Sequence, residues 1–219
     1  MNKKVVTLMV VLVSGSLLLT GCSTSIPFVA KTYTIEGSKV SSLIVDVRDR
    51  EIEVSVSNDG LVHIDYFENA KEFYDISVSH DKVLTMKAVT NKDWKDFIGL
   101  SPAIGARKIS IQVPDSHLSS LDLSTTKQDL ILFPLTVNGS VTLSSNGGNI
   151  TFEKMDVKTM LKVTGKNGNI RGTVAGSHDD FSILTTIKKG KTNLSTDLKD
   201  KDKRLEVSNN NGNINITFQ

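Results

Sequence analysis

Cysteine, proline and aromatic residues are scarce in this chain. Its 219 residues include one cysteine and four prolines, and only 5% are aromatic. A single cysteine excludes a disulfide core and a cysteine-cluster metal site within the chain. So few aromatic side chains also argue against a deep enzyme pocket and against a surface on which nucleic-acid bases stack.

Excess charge is lacking as well. Lys3 and Lys4 account for the formal net charge of +2, and the rest of the chain is balanced. We therefore expect no nucleic-acid partner, because general binding to the phosphate backbone requires excess positive charge. Hydrophobic residues make up 38% and charged residues 23% of the sequence. These values argue against a multi-pass membrane protein and against an acidic disordered tail.

The beginning of the chain has the pattern of an export signal. Lys3 and Lys4 precede an apolar stretch, residues 5–20, which is shorter than the roughly 20 apolar residues of a membrane-spanning helix. Leu19-Thr20-Gly21-Cys22 follows directly and resembles a bacterial lipobox. The resemblance implies that Cys22 receives a diacylglyceryl group, that the leader is cleaved before it, and that acyl chains such as palmitate anchor the chain.

This interpretation divides the chain into a signal peptide (1–21), a lipidated cysteine with its tether (22–38) and a folded domain (39–219). The alternative is an uncleaved signal anchor with a buried Cys22. Both alternatives place the domain outside the cytoplasm and attach it to the cell membrane.

Short segments of alternating polarity predict an all-β domain. Residues 43–47, 52–56 and 109–113 alternate apolar and polar side chains as half-buried strands do. Pro114 ends the third of these strands, because proline has no N–H to donate to a neighbouring strand. These strands are irregularly spaced, and we expect them to precede a more regular part.

From residue 121 onward the sequence repeats. Five ten-residue segments align without a gap: 121–130, 141–150, 161–170, 183–192 and 205–214. One column holds Gln128 in the first repeat and then Gly148, Gly168, Gly190 and Gly212, so the period is 20 to 22 residues. Such a period with short strands is typical of a single-stranded β-solenoid, whose rungs would stack in chain order.

The polar end of each repeat predicts a corner. Glycine supplies the positive φ of a tight turn, and Asn149, Asn169 and Asn213 are expected to lie above one another and share side-chain amide bonds. We interpret Asn-Gly-Asn-Ile first as corner chemistry and second as a ligand site. The fourth repeat has Lys-Gly-Lys-Thr instead, which predicts a looser coil or a polar face.

The recurrent Asn-Gly-Asn-Ile columns, and residues 109–114 that lead into them, resemble the bacterial putative-adhesin domain. This is a β-solenoid family of envelope proteins, and the resemblance covers about residues 40–219. It implies a solenoid fold at the cell surface, and it rests on repeated structural residues rather than on a catalytic motif.

Catalytic and metal-binding motifs are incomplete, so we expect no enzyme, no cofactor and no metal site. A phosphate-binding loop at Gly190-Lys191-Thr192 would need a glycine at position 185, which is Thr185. His63 and Asp65 are expected to form a solvated pair on one face of a strand. The aspartates between residues 197 and 202 alternate with lysines and miss the EF-hand spacing, so a solvated loop is expected, with calcium binding as the weaker alternative.

One segment fits no strand. Trp94, Phe97 and Ile98 are spaced to share a face of one helical turn. Either they cap an open end of the solenoid, or they contact a partner, a cell-wall polymer or the bilayer. The C-terminal residues 214–219 form a strand with nothing after it, which predicts self-association through that strand or cover by another element.

Together these features predict a non-catalytic, lipid-anchored binding protein, either a surface adhesin or an envelope-binding lipoprotein. Long faces of Ser, Thr, Asn and Lys suit many modest contacts with an envelope polymer or with a membrane or surface protein. The alternatives are a regulatory lipoprotein that senses envelope stress through a membrane partner, and a structural element that assembles end to end.

Overall fold

Alternating apolar and polar residues give most strands one buried side, and the strands form two sheets around one hydrophobic core. The computed structural model describes residues 26–91 and 104–219. Helical structure in these two ranges is limited to 3-10 turns, at Gly37–Lys39, Ile104–Arg107 and His178–Asp180. The prediction of an all-β fold is confirmed. None of the helical segments in these ranges is long and apolar enough to cross a membrane.

Seventeen strands are found in the described ranges, numbered in chain order. The first six are Val29–Glu36 (β1), Ser42–Asp46 (β2), Glu51–Ser57 (β3), Leu61–Glu68 (β4), Glu72–Val78 (β5) and Val83–Thr90 (β6). The next six are Lys108–Pro114 (β7), Ser120–Thr125 (β8), Leu130–Leu132 (β9), Leu135–Val137 (β10), Ser140–Ser145 (β11) and Ile150–Val157 (β12). The last five are Met160–Asn167 (β13), Ile170–Val174 (β14), Phe181–Lys189 (β15), Lys203–Asn211 (β16) and Ile214–Phe218 (β17).

Both sheets are mixed. The first has the order β1-β4-β7-β3-β9-β12-β14-β17, with β10 also paired to β12, and the second has the order β5-β6-β2-β8-β11-β13-β16-β15. The pairs β1–β4, β4–β7 and β5–β6 are antiparallel. All pairs from β8 to β17 are parallel. We call a second-sheet strand together with the first-sheet strand that follows it a layer.

Strict register places like residues side by side in the core. One column of inward-facing residues crosses all eight strands of the second sheet: Val78, Leu84, Leu43, Leu121, Val141, Leu161, Leu205 and Ile183. All of them except the half-buried Val78 are at most 1% exposed. Burying one such side chain contributes roughly 2 kcal/mol, so each added layer extends the same core.

The order of the last two repeats differs from the predicted one. The sequence predicts that rungs stack in chain order, but β16 lies between β13 and β15, so the fourth repeat is outermost. The fourth repeat has no following strand in the first sheet, because residues 192–202 form a single isolated bridge there, from Thr192 to Ile214. Inside the stack, a repeat with a strand in only one sheet would leave the other sheet one strand short. At the end of the stack, such a repeat interrupts neither sheet.

The folded part begins before residue 39. β1 (Val29–Glu36) pairs along its whole length with β4, inside the range 22–38 that the sequence assigns to a tether. The sequence does not mark this strand, because β1 is exposed over its first four residues and therefore lacks the strong alternation that marks a strand.

A buried charge joins the first layers to the outer strand β5. The Arg50 side chain is 4% exposed, and it donates to Glu72 Oε2 at 3.0 Å and to the Tyr74 hydroxyl oxygen at 2.8 Å. Burial raises the pKa of the Tyr74 hydroxyl above its usual value, so this group stays protonated. Arg50 and its partners therefore fix β5 against the turn between β2 and β3.

Replacing Arg50 with alanine should lower the free energy of unfolding by about 3 kcal/mol, because the buried ion pair with Glu72 and the hydrogen bond to Tyr74 are both lost. Urea denaturation followed by circular dichroism measures this change. Lys39→Ala removes an exposed partner of Glu36 and is the matched control, expected to change stability by less than about 0.5 kcal/mol. Equal stability of the two variants would contradict the assignment.

Candidate functional site

The candidate site is a corner where the second sheet passes into the first. Five segments of four residues lie there, at 126–129, 146–149, 166–169, 210–213 and 188–191 in spatial order. Because the preceding strands are in register, equivalent residues of the five segments lie above one another. These segments are called the corner below.

Close backbone contact explains the glycine column of the corner. A Cβ atom at Gly168 would collide with the carbonyl of Gly148, and one at Gly212 with the carbonyl of Gly168. Gly148 meets Gln128 in the same way, and Gly190 meets Gly212. A substituent in this column is therefore excluded by the neighbouring layer itself.

A positive φ explains fewer of the corner glycines than the sequence predicts. Gly168, Gly190 and Gly212 have φ values of 139°, 133° and 122°, which disfavour any residue with a Cβ. Gly148 is not among the residues with positive φ, so the expectation of a positive φ at each corner is wrong there. Contact with Gln128 alone accounts for glycine at that position.

Carboxamide oxygens connect the layers along the corner. The backbone N–H of Asn169 donates to Asn149 Oδ1, that of Asn213 to Asn169 Oδ1, and that of Lys191 to Asn213 Oδ1, each at 2.9 Å. At the other end the N–H of Asn149 donates to Asp129 Oδ1 at 2.7 Å. The expected bonds between side-chain amides in this column are thus replaced by bonds from main chain to side chain. These hydrogen bonds link each layer to its neighbour in space, so they follow the observed spatial order of the layers.

This arrangement directs hydrogen-bond donors outward. In Asn169 and Asn213 the Oδ1 atom is engaged by the next layer, while Nδ2 has no hydrogen-bond partner among the described residues. A carboxamide nitrogen only donates. The exposed part of this column is therefore rich in donors.

Lysines add positive charge to the corner. Lys166, Lys188, Lys189 and Lys191 are exposed, and within the described ranges none of them forms an ion pair. We call these four residues the basic tip. Asp129 is the acidic residue of the corner, and it lies in the layer farthest from β15.

The segment 190–202 covers the outer edges of the last strands. The Asn193 side chain accepts from the N–H of Ile216 at 2.9 Å and donates to its carbonyl at 2.7 Å, as a neighbouring strand would. On the other sheet, Asp197 exchanges two backbone hydrogen bonds with Ile183, at 2.7 and 2.8 Å. Leu194 is 7% exposed and packs between these contacts. The β17 edge is thus covered at Ile216.

The sequence does not predict that Asn193 and Asp197 cover strand edges, since it predicts a solvated loop at residues 197–202, with calcium binding as the weaker alternative. A buried Leu194 between polar residues was the available signal. In the sequence, the fourth repeat only departs from the repeat pattern at Lys188, Lys189 and Lys191. That these lysines lie near Lys166 depends on the strand order, which the sequence does not reveal.

His63 has a different partner from the predicted one. Its Nε2 lies 2.8 Å from Asp59 Oδ2 and its Nδ1 lies 3.2 Å from the Thr34 hydroxyl, whereas Asp65 accepts from Thr32 at 2.5 Å. The N–H of Leu61 and the His63 imidazole lower the pKa of the Asp59 carboxyl below its usual value. Asp59 is exposed and His63 is half-buried, so these side chains form a hydrogen-bond cluster at the surface.

The aspartates near residue 200 form no recognisable cation site. Lys199 lies 2.9 Å from Asp197 Oδ2, and this hydrogen bond lowers the pKa of the Asp197 carboxyl. Among residues 26–91 and 104–219, no group of three or more His, Cys, Asp or Glu side chains is placed to hold a metal ion.

Several predicted site residues lie outside the described residues. These are Cys22, the expected lipidation site, and the expected contact residues Trp94, Phe97 and Ile98.

Comparison with protein-family models and with curated protein sequences finds no match. Among solved structures, the chain is similar to a "putative cell adhesion protein" from Clostridium sporogenes, with a TM-score of 0.60, 13% identity and coverage of 88% of this chain and 100% of that one. This likeness shows a shared fold and agrees with the adhesin-like fold that the sequence predicts.

Two further likenesses are weaker. A "putative adhesin" from Bacteroides fragilis has a TM-score of 0.31 at 12% identity, covering 90% of this chain and 100% of that one. Another, from Parabacteroides merdae, has a TM-score of 0.34 at 15% identity, covering 86% and 80%. At such TM-scores the likeness carries no conclusion.

Gly168→Ala should lower the free energy of unfolding by at least about 2 kcal/mol, since the new methyl group meets the Gly148 carbonyl and φ is positive. Gly105→Ala is the matched control, because Gly105 has ordinary φ and open space around its Cβ position. Thermal unfolding of both variants measures the difference. A Gly168→Ala protein as stable as the control would exclude close layer contact at this corner.

Proposed function

We propose that this chain is a lipid-anchored, extracytoplasmic binding protein without catalytic activity, a cell-surface adhesin or envelope-binding lipoprotein. The observation that carries the proposal is the in-register stack of layers. It presents long exposed faces and corners of small polar and basic side chains, and such surfaces suit many modest contacts made together. The fold shared with a protein named for cell adhesion supports a binding role.

The proposal includes a β-solenoid as the form of the stack. Layers β8/β9, β11/β12, β13/β14 and β16/β17 each contribute one strand to each sheet, and neighbouring layers are parallel. The antiparallel strands β1, β4 and β5 would then close the end at which the described chain begins.

The lipid anchor sets the orientation. Ile26 follows Cys22 by four residues, so an extended chain holds it within about 14 Å of a lipidated Cys22. β1 and β17 are the outer strands of the first sheet, with seven strand steps between them, or about 34 Å at 4.8 Å per step. The basic tip would thus face away from the membrane.

Cys22→Ala should abolish incorporation of radiolabelled palmitate and leave the leader uncleaved, since no other thiol is present and cleavage follows lipidation. Ser23→Ala is the control and should behave as the wild type. If the Cys22→Ala protein still incorporates palmitate, or is shortened to the same length as the wild type, the lipid anchor at Cys22 is refuted.

The binding role is tested with the purified, lipidated full chain in detergent. We expect it to sediment with isolated cell envelopes in a saturable manner, because the stacked surface offers many contacts at once. Sedimentation is compared with that of an unrelated lipidated protein. Equal, non-saturable recovery of the two would reject the proposed function.

A further inference from the structure

The basic tip combines cations from neighbouring layers. Lys189 pairs with Asn211 across β15 and β16, and Asn211 pairs with Asn167 across β16 and β13. Lys166 precedes Asn167, so it lies about 10 Å from the lysines at the end of β15, two strand spacings away. The positive charges therefore follow the axis of the stack instead of gathering at one point.

Negatively charged side chains lie at the other end of β15, where the strand begins. There a shallow groove of about 320 Å³ is lined by four aspartates interspersed with two lysines: Asp179, Asp180, Asp200, Lys201, Asp202 and Lys203. β15 spans nine residues, or roughly 30 Å, which exceeds the screening length of about 8 Å at physiological salt. These carboxylates therefore do not neutralise the basic tip.

The strand order explains why lysine replaces asparagine in the fourth repeat. An asparagine at position 191 would have no further layer to which it could offer its Oδ1, because β15 is the outermost strand of its sheet. The backbone N–H of Lys191 still ends the hydrogen-bond ladder at Asn213. Its side chain is thus free of a structural role and carries charge into solvent.

The groups that a ligand would contact at the basic tip are mainly hydrogen-bond donors. The ammonium groups of the basic tip and the Nδ2 atoms of Asn169 and Asn213 all donate hydrogen bonds. A matching ligand carries acceptors and negative charge at repeated positions. Phosphate groups along a polymer meet both requirements, and lysine binds phosphate as a point charge.

We propose that the basic tip binds a phosphate-bearing anionic polymer of the cell envelope. This inference rests on the proposed function and names its ligand class. The corner contains no aromatic side chain, and binding of single-stranded nucleic acid commonly uses aromatic stacking of the bases. An envelope polymer is therefore favoured over nucleic acid.

The test uses the lipidated full chain in detergent and end-labelled inorganic polyphosphate as the probe, with fluorescence anisotropy as the readout. The triple variant Lys188→Gln, Lys189→Gln, Lys191→Gln should bind about ten-fold more weakly, because three of the four charges are lost. A triple variant with the same change in charge, Lys87→Gln, Lys154→Gln, Lys158→Gln, should bind within two-fold of the wild type. All six lysines are exposed, and none forms an ion pair in the described part of the chain, so both variants should keep the wild-type melting temperature.

Each other outcome overturns the inference. Equal weakening of both triple variants would show attraction by net charge alone, and absence of wild-type binding would show no site. Single-stranded DNA that binds as tightly as polyphosphate would show a ligand class other than the proposed one. Sedimentation with envelopes separates the two proposals: if the tip variant still sediments like the wild type, the basic tip is not the site while the binding function stands.

Discussion

Contact between successive layers at the glycine column is the constraint on which the rest of this structure depends. Gly148, Gly168, Gly212 and Gly190 each place the backbone against a carbonyl of the layer below, at a separation that leaves no room for a side chain. This contact holds the strands in register, and the register aligns the leucines, valines and isoleucines of the core. The asparagine ladder then uses the same alignment to pair backbone N–H groups that lie beyond the strands.

The end of the stack is built differently from its interior. An interior layer needs a strand in each sheet and an acceptor for the next layer, and the fourth repeat provides neither. Its remaining chain instead covers the exposed strand edges through Asn193 and Asp197. Covered edges limit unwanted pairing with other chains. Because the fourth repeat is outermost, its polar corner side chains need not bond to a further layer. Lysines can therefore occupy these positions.

Much of the fold can be predicted from the sequence. The parts that cannot be predicted fail for identifiable physical reasons. Alternation in β11 and β13 and the shared glycine column determine strand positions and the corner, because both patterns are local. The exchange of β15 and β16 was not predictable from the period, since the spacing of the glycines is 22 residues on both sides of the exchange. β1 was missed because one strand of mainly exposed residues resembles a tether.

The candidate site shows the same division. Its glycines and asparagines are marked by repetition, whereas the common location of Lys166 with the lysines of β15 depends on which layer lies next to which. His63 illustrates a further limit: a spacing of two residues placed it beside Asp65 on one face, but the turn after β3 brings Asp59 within 2.8 Å instead.

The exchanged order of β15 and β16 has a consequence for how the molecule is assembled. β15 has one sheet partner, β16, and that strand follows it only after the segment 190–202, at residues 203–211. A growing polypeptide contains β15 before it contains β16, so β15 lacks its strand partner until residues 203–211 have been synthesised. Assembly therefore cannot proceed layer by layer in chain order, because the outermost strand β15 is added only after β16 is in place.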